Sequence, residues 1–292
     1  MKYHSLLLAV VLLLAATGLV QAQNESLATP VTRTFALKNA NIVQKPGQVI
    51  ERGIVIVKDG LIQAVGKDVK IPVDAQVIDA DSMYVYAGFI DGLSHTGVPR
   101  PEANQGRGQA GAQRGGQPQQ QVDRGNPSNE EAGITPEKPV KDVLKADDKS
   151  IEEMRKAGFT AAHVVPRGNM LPGTGAIVLL NGKSADAMIL KDQTSFFSQL
   201  EGAGRVYPST VIAVMSKYRE LYKRAEQAKA HEAMYAKSPA GMERPNYDRA
   251  LQAFYPVIDK KLPVFFAAGD LKSIYRVMNL QNDLKFPLVL AN

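Results

Sequence analysis

From residue 34 to about 81 the apolar positions come in short runs separated by turn-forming residues. Phe35, Leu37 and the Ile42-Val43 pair mark one strand, and Ile54-Val55-Ile56-Val57 is a β-branched run. Asp59-Gly60 follows, then Leu61-Ile62 and Ala64-Val65. Asp-Gly between two apolar runs predicts a hairpin, because both central residues of such a turn must accept positive φ. Val73 to Ile78 predicts a further strand, completing a small β module of roughly 50 residues. Another strand-like stretch runs from Tyr84 to His95.

The pattern then breaks. Arg100 to Val122 is rich in Gln and Gly and has no periodicity, so it buries too little apolar surface to offset its ordering entropy. A mobile loop is expected there, extending to about Pro139; a plain insertion and a substrate-gating lid are both open readings. Beyond it, helical and strand patterns alternate. Val143 to Ala157 has helical spacing and ends at Gly158, and Phe159 to Val165 is a strand. Gly173 to Leu180 and Ala187 to Leu190 are strand candidates. Ser209 or Thr210 can cap a long helix to about Tyr235, with Val211, Met215, Tyr218, Tyr222 and Ala225 on one face. Its basic residues Lys217, Arg219, Lys223 and Arg224 read as a solvated face. A helix over Tyr247 to Lys260, a strand over Leu262 to Ala267, a helix over Asp270 to Leu280 and a strand over Phe286 to Leu290 complete the chain. Strands alternating with helices predict parallel β/α units.

Composition narrows the chemistry. The 292 residues include no Cys, no Trp and four His, at 4, 95, 163 and 231. Disulfides, thiolate metal sites and cysteine nucleophiles are excluded. A net charge of +6, without a concentrated basic patch, does not suggest nucleic acid as a partner. Lys2 and His4 precede the apolar run Leu6 to Val20, which ends Val20-Gln21-Ala22. That layout predicts a signal peptide cleaved after Ala22; the run is shorter than the roughly 20 residues a membrane-spanning helix needs. The mature protein is therefore expected to be periplasmic or secreted, with no stable membrane anchor.

Several segments, in order and spacing, resemble the opening of the metal-dependent amidohydrolase superfamily, and within it the imidazolonepropionase-like amidohydrolases. They are Lys38-Asn39-Ala40-Asn41-Ile42-Val43, Ile54 to Gly66, Val77-Ile78-Asp79-Ala80 and Gly88-Phe89-Ile90-Asp91. Ala157-Gly158-Phe159-Thr160, Gly173-Thr174-Gly175-Ala176, Tyr207-Pro208-Ser209-Thr210 and Leu262-Pro263-Val264 are similar to later parts of the same family. The resemblance implies an α/β fold: a small N-terminal β-sandwich module (residues 23–83), a first barrel strand (84–98), the Gln/Gly-rich loop (99–140) and a partial or incomplete TIM-type (β/α)8 barrel (141–292). A complete barrel takes about 250 residues, and what remains here after the β module and loop supports about five or six β/α units. The expectation is an incomplete chain or a partner chain that completes the barrel.

The resemblance also implies a metal site opening with two His, two residues apart, after the Gly-Phe-Ile-Asp segment. Residues i and i+2 of a strand share a face, so both would point into the barrel mouth. Here the two positions are Leu93 and His95. Ala267 or Gly269 stands where a fifth-strand His is expected, and Lys191 is the one candidate for a bridging fourth-strand Lys. Asp91, Leu93, His95 and His163 are the candidate mouth residues, with His95 the candidate metal ligand. Asp91 is also readable as a structural acceptor and His163 as a satisfied core residue. Two functions follow. One is hydrolysis of a non-peptide C–N bond in a small-molecule substrate, by water activated on a divalent, zinc-like metal. The other is a non-catalytic amidohydrolase-like protein that binds a ligand or partner, with no metal. A binding module built on the Gln/Gly loop is a third.

Overall fold

The computed structural model of the protein describes residues 33–100 and 123–292. The signal peptide expected over residues 1–22 and the Gln/Gly tract over residues 101–122 lie outside the described residues. Two units divide the chain, one ending at Ala87 and the other beginning at Gly88.

In the first unit, β1 (Thr34–Lys45) pairs antiparallel with β2 (Gln48–Lys58), and β2 with β3 (Leu61–Gly66). The β2–β3 turn is the predicted hairpin: Asp59 and Gly60 both have positive φ, 51° and 79°. β4 (Gln76–Asp79) and β5 (Tyr84–Tyr86) each pair parallel with β1, one after the other along its length. Asn39 helps join β1 to β4, its side-chain amide donating to Asp79 Oδ1 at 3.0 Å. Together with nearby Lys38 it holds the Asp79 carboxyl below the usual carboxylate range. The core of this unit is small: Ala40, Ile42, Val55 and Ala80, flanked by partly buried Leu37, Ile50 and Val85. The unit is therefore one five-stranded sheet, and the expected sandwich of two sheets is not formed by its described residues.

The stretch read as one strand from Tyr84 to His95 is two. β5 belongs to the first sheet, and β6 (Phe89–Ser94) opens the second. Gly88 lies between them, where a Cβ would run into the Thr160 side chain.

The second unit is a six-stranded mixed sheet in the order β11-β10-β9-β8-β7-β6. The α/β class expected from the sequence holds, but uniformly parallel β/α units do not. β7 (Phe159–Val164) runs parallel to β6, yet β8 (Gly173–Leu179) is antiparallel to both β7 and β9 (Ile189–Gln199). β10 (Val264–Ala267) and β11 (Leu288–Ala291) then continue parallel to β9. The physical reason is the connection. No full helix lies between β7 and β9, and a parallel crossover needs a dozen or more residues, usually helical. The four-residue α2 (Ala185–Met188) leads straight into β9.

Helix limits follow local capping. The helix expected from Val143 begins only at Lys149: α1 (Lys149–Lys156) is capped by the Asp148 carboxylate, which accepts from Ser150 N at 2.9 Å. Upstream, Val140–Asp142 is a single 3₁₀ turn, and Lys145 N donates to Gly97 O. Residues 123–140 are likewise not a free loop. Ala132, Ile134 and Val140 are buried, and Thr135 and Thr174 bond across to Leu171 and Lys138. Thr210 caps α3 (Val211–Lys237) as expected, accepting from Ala213 N. The region read as one helix from Tyr247 is instead α4 (Arg249–Gln252) and α5 (Tyr255–Ile258). Pro256 has no N–H to continue the ladder. Asp270 caps α6 (Leu271–Leu284).

Strand alternation assigns the two faces of this sheet. Phe196 on β9 and Val264 and Phe266 on β10 face the helices, joining Tyr218 and Tyr222 of α3, Phe254, Phe286 and Leu280 in the main core. The ring centroids of Phe254 and Phe196 are 4.7 Å apart. The basic residues of α3 are a solvated face laced by ion pairs: Lys217 and Arg224 with Glu220, Lys223 with Glu226, and Arg219 with Asp283. The intervening residues Ser195, Phe197, Phe265 and Ala267 point to the opposite face, where the candidate site lies.

Candidate functional site

An open cleft of about 450 Å³ sits at the C-terminal ends of the parallel strands. Leu93, Ser94, His95 and Thr96 come from the end of β6, Phe197 and Gln199 from the end of β9, and Ala267 from the end of β10. Arg167, just past β7, and Ser150 at the start of α1 complete most of the wall. Strand C-termini are where ligands bind in barrels and in open α/β sheets alike.

Of the residues expected at the mouth, Leu93 on β6 and His95 one residue past its end both line this cleft, as do Ser94 and Thr96 beside them. His95 Nδ1 is 2.9 Å from Val165 O. A carbonyl can only accept, so Nδ1 carries the proton and Nε2 holds a lone pair. Partial burial pushes the His95 pKa down, and the charge of Arg167 adds to that, so the ring is neutral at neutral pH. The Phe197 ring packs edge-on against it, 6.0 Å between centroids.

Asp91 and His163 lie elsewhere. Asp91 is half-buried, and its carboxylate accepts from Leu93 N at 3.3 Å, stiffening the strand under the cleft. His163 is buried (8 % exposed) and is not part of the cleft wall. Its Nδ1 is 3.1 Å from Gly92 O and therefore protonated, while Ser195 Oγ donates to Nε2 at 2.8 Å. Both ring nitrogens are thus engaged, and the Phe265 ring covers the imidazole at 4.4 Å between centroids. Burial lowers its pKa. Gly175 makes the contact possible: a Cβ there would come within 2.6 Å of Ser195 Oγ and 2.8 Å of His163 Nε2. The Gly173-Thr174-Gly175 run is the first part of β8, the strand expected from Gly173. Lys191 is exposed near the start of β9, away from the strand ends that form the cleft, and His231 is half-buried on α3.

A catalytic zinc takes three protein ligands and keeps a position for water. Among the described residues no three His, Asp or Glu groups come together in a way that could hold a metal. His95 offers one nitrogen, Leu93 and Ala267 offer none, and the Nε2 of His163 is already used. The donor set present does not fit the metal centre that the resemblance implies.

Arg167, Gln199, Ser150 and Phe197 are cleft residues that sequence reasoning did not single out. The available signal was position: Arg167 follows the strand Phe159–Val164 by three residues, where its C-terminal end opens.

No family model matches the chain, and no curated protein matches it. Solved structures do. An amidohydrolase from Thermotoga maritima MSB8 superposes with a TM-score of 0.68 over 88 % of this chain, at 20 % identity. This chain spans 63 % of the length of that protein. A prolidase solved with N-methylphosphonate-L-proline (16 % identity, 85 % of this chain and 59 % of that one) has a TM-score of 0.37. A D-hydantoinase from a Thermus species (13 % identity, 88 % and 57 %) has one of 0.32. Both scores are too low to carry an argument. The likeness that carries weight is therefore one of fold alone: over 88 % of its length this chain shares the α/β fold of the Thermotoga maritima amidohydrolase.

Proposed function

We propose that the chain is an exported, imidazolonepropionase-like protein of amidohydrolase type in which the six-stranded sheet is part of a (β/α)8 barrel. Its strand-end cleft binds a small organic ligand without hydrolysing it. The observation that carries this reading is the pairing of Leu93 with His95 in the cleft wall: a side chain with no donor atom occupies one of the two positions from which a strand could present paired imidazoles. The cleft's volume falls within the range of about 300–1,000 Å³ found for small-molecule sites, and its wall mixes apolar with a few polar groups, as such sites do. The fold does not by itself imply the chemistry of its enzymes.

Metal-dependent hydrolysis of a non-peptide C–N bond is the second reading, favoured by the free Nε2 lone pair that His95 holds in the cleft. Zinc titration separates the two. The wild-type chain should take up no stoichiometric zinc at micromolar concentration, and Leu93→His should gain zinc affinity by about tenfold or more, because it supplies a second imidazole in the same wall. Stoichiometric, tight zinc binding by the wild-type chain, read by calorimetry and elemental analysis, would end the non-catalytic reading.

A further inference from the structure

The cleft carries a cation in its wall. Among the described residues Arg167 is the only charged side chain in its wall, and no Asp or Glu side chain lines it. Among the described residues no carboxylate lies within ion-pair distance of Arg167. The nearest acidic influence is Asp148, whose carboxylate is already engaged by Ser150, at 2.9 Å from the backbone N–H and 2.6 Å from the hydroxyl. Arg100 adds a second positive charge close enough to act on Arg167. A guanidinium drawn partly out of water beside another cation, with no ion-pair partner, is an incomplete arrangement that an anionic ligand would complete.

The guanidinium is also oriented. Arg167 Nε donates to Val98 O at 3.2 Å, which restrains the plane of the group and leaves its two terminal nitrogens without a hydrogen-bond partner among the described residues. The fork of a guanidinium matches the two oxygens of a carboxylate. The wall is mixed: Leu93, Phe197 and Ala267 give it an apolar side, and Ser94, His95, Thr96, Ser150, Gln199 and Asn292 give it uncharged polar groups. Gln199, also in the wall, is anchored through its amide nitrogen, which donates to Gly168 O.

Resting on the reading of the cleft as a ligand site, we propose that its ligand is a small monocarboxylate with an apolar body, held end-on by Arg167 with the body against Leu93 and Phe197. The positive charge of Arg167 thereby has a use that a packing role through Val98 alone would not require.

Benzoate and its neutral amide, benzamide, test this on the full chain, by calorimetry or by saturable NMR shifts. Benzoate should bind with saturation, and benzamide about tenfold or more weaker, as expected for loss of a charge-assisted hydrogen-bond pair. Arg167→Gln should remove the preference for benzoate while still binding benzamide, which also reports that the cleft is intact. Arg167→Lys should recover only part of the preference, because it keeps the charge and loses the fork. Equal binding of the two probes by the wild-type chain, or undiminished benzoate binding by Arg167→Gln, would overturn the proposal. So would an absence of benzoate binding at millimolar concentration, or displacement of benzoate by equimolar inorganic phosphate. Ala267→Trp, which fills the cleft, distinguishes the two levels. If it abolishes binding while Arg167→Gln does not, the carboxylate assignment fails and the ligand site stands; if benzoate binds regardless of Ala267→Trp, the reading of the cleft itself falls.

Discussion

Two histidines, His163 on β7 and His95 just past the end of the adjacent β6, lie close to one another and are held in opposite ways. Around His163, beneath the cleft, every polar atom has a partner: Gly92 O takes the Nδ1 proton, Nε2 takes the Ser195 hydroxyl, and Phe265 covers the ring. Around His95, in the cleft wall with Leu93 and Arg167, one nitrogen is tied to Val165 O and the other has no hydrogen-bond partner among the described residues. Both rings are held neutral by the same cause, burial. What separates them is the use of the remaining lone pair. In the lower layer it serves the fold, and in the upper one it has no hydrogen-bond partner among the described residues.

The contrast is sharpest in stability. His163→Ala leaves the Gly92 carbonyl and the buried Ser195 hydroxyl without partners and opens a cavity, so it should cost about 3 kcal/mol in urea unfolding. His95→Ala, at a partly open site, should cost less than about 1 kcal/mol. Comparable losses from the two would erase the distinction. Gly175→Ala should come next. Its methyl group enters the space between Ser195 Oγ and His163 Nε2, an overpacking change worth about 1–3 kcal/mol. The smallest effect is that of pH. Because the folded pKa of His163 lies below its unfolded value, the unfolded chain binds more protons as the solution is acidified. The stability contribution is fully present above about pH 6.5 and declines as pH falls below that value towards the folded pKa. His95 contributes in the same sense. Urea midpoints measured between pH 7.5 and 5.5 should fall for the wild-type chain and fall less for His163→Ala; a flat wild-type profile would remove burial as the common cause.

Much of the fold could be read along the chain because it rests on local physics. The Asp59-Gly60 turn, the Thr210 and Asp270 caps and the Gly158 helix stop are written in one to four residues each. The direction of β8 is not. An apolar run such as Gly173 to Leu179 reads the same whether its neighbours are parallel or antiparallel, and only the short link through α2 decides. Likewise Ile134 and Val140 become buried through partners beyond residue 160, which a composition argument about the preceding tract does not reveal. At the candidate site, their nearness in sequence just past Asp91 was enough to place Leu93 and His95 in one wall, though not by strand parity, because β6 ends at Ser94. Arg167 escaped notice because its orienting partner, Val98, is 69 residues away in sequence, and a single Arg carries no spacing signature.

The bare backbone at Gly175 has a consequence for how the sheet is assembled. His163 reaches past β8 to a serine on β9, two strands over, and it can do so only where no side chain rises between them. If β8 slid by one residue, Thr174 or Ala176 would carry a β-carbon towards that gap, and slid by two in one direction it would bring Ile177. Mispaired alignments of this run therefore collide with the bridge that the native one completes. The glycine acts as an alignment mark, rejecting misfolded pairings of an antiparallel strand that its apolar sequence alone would tolerate.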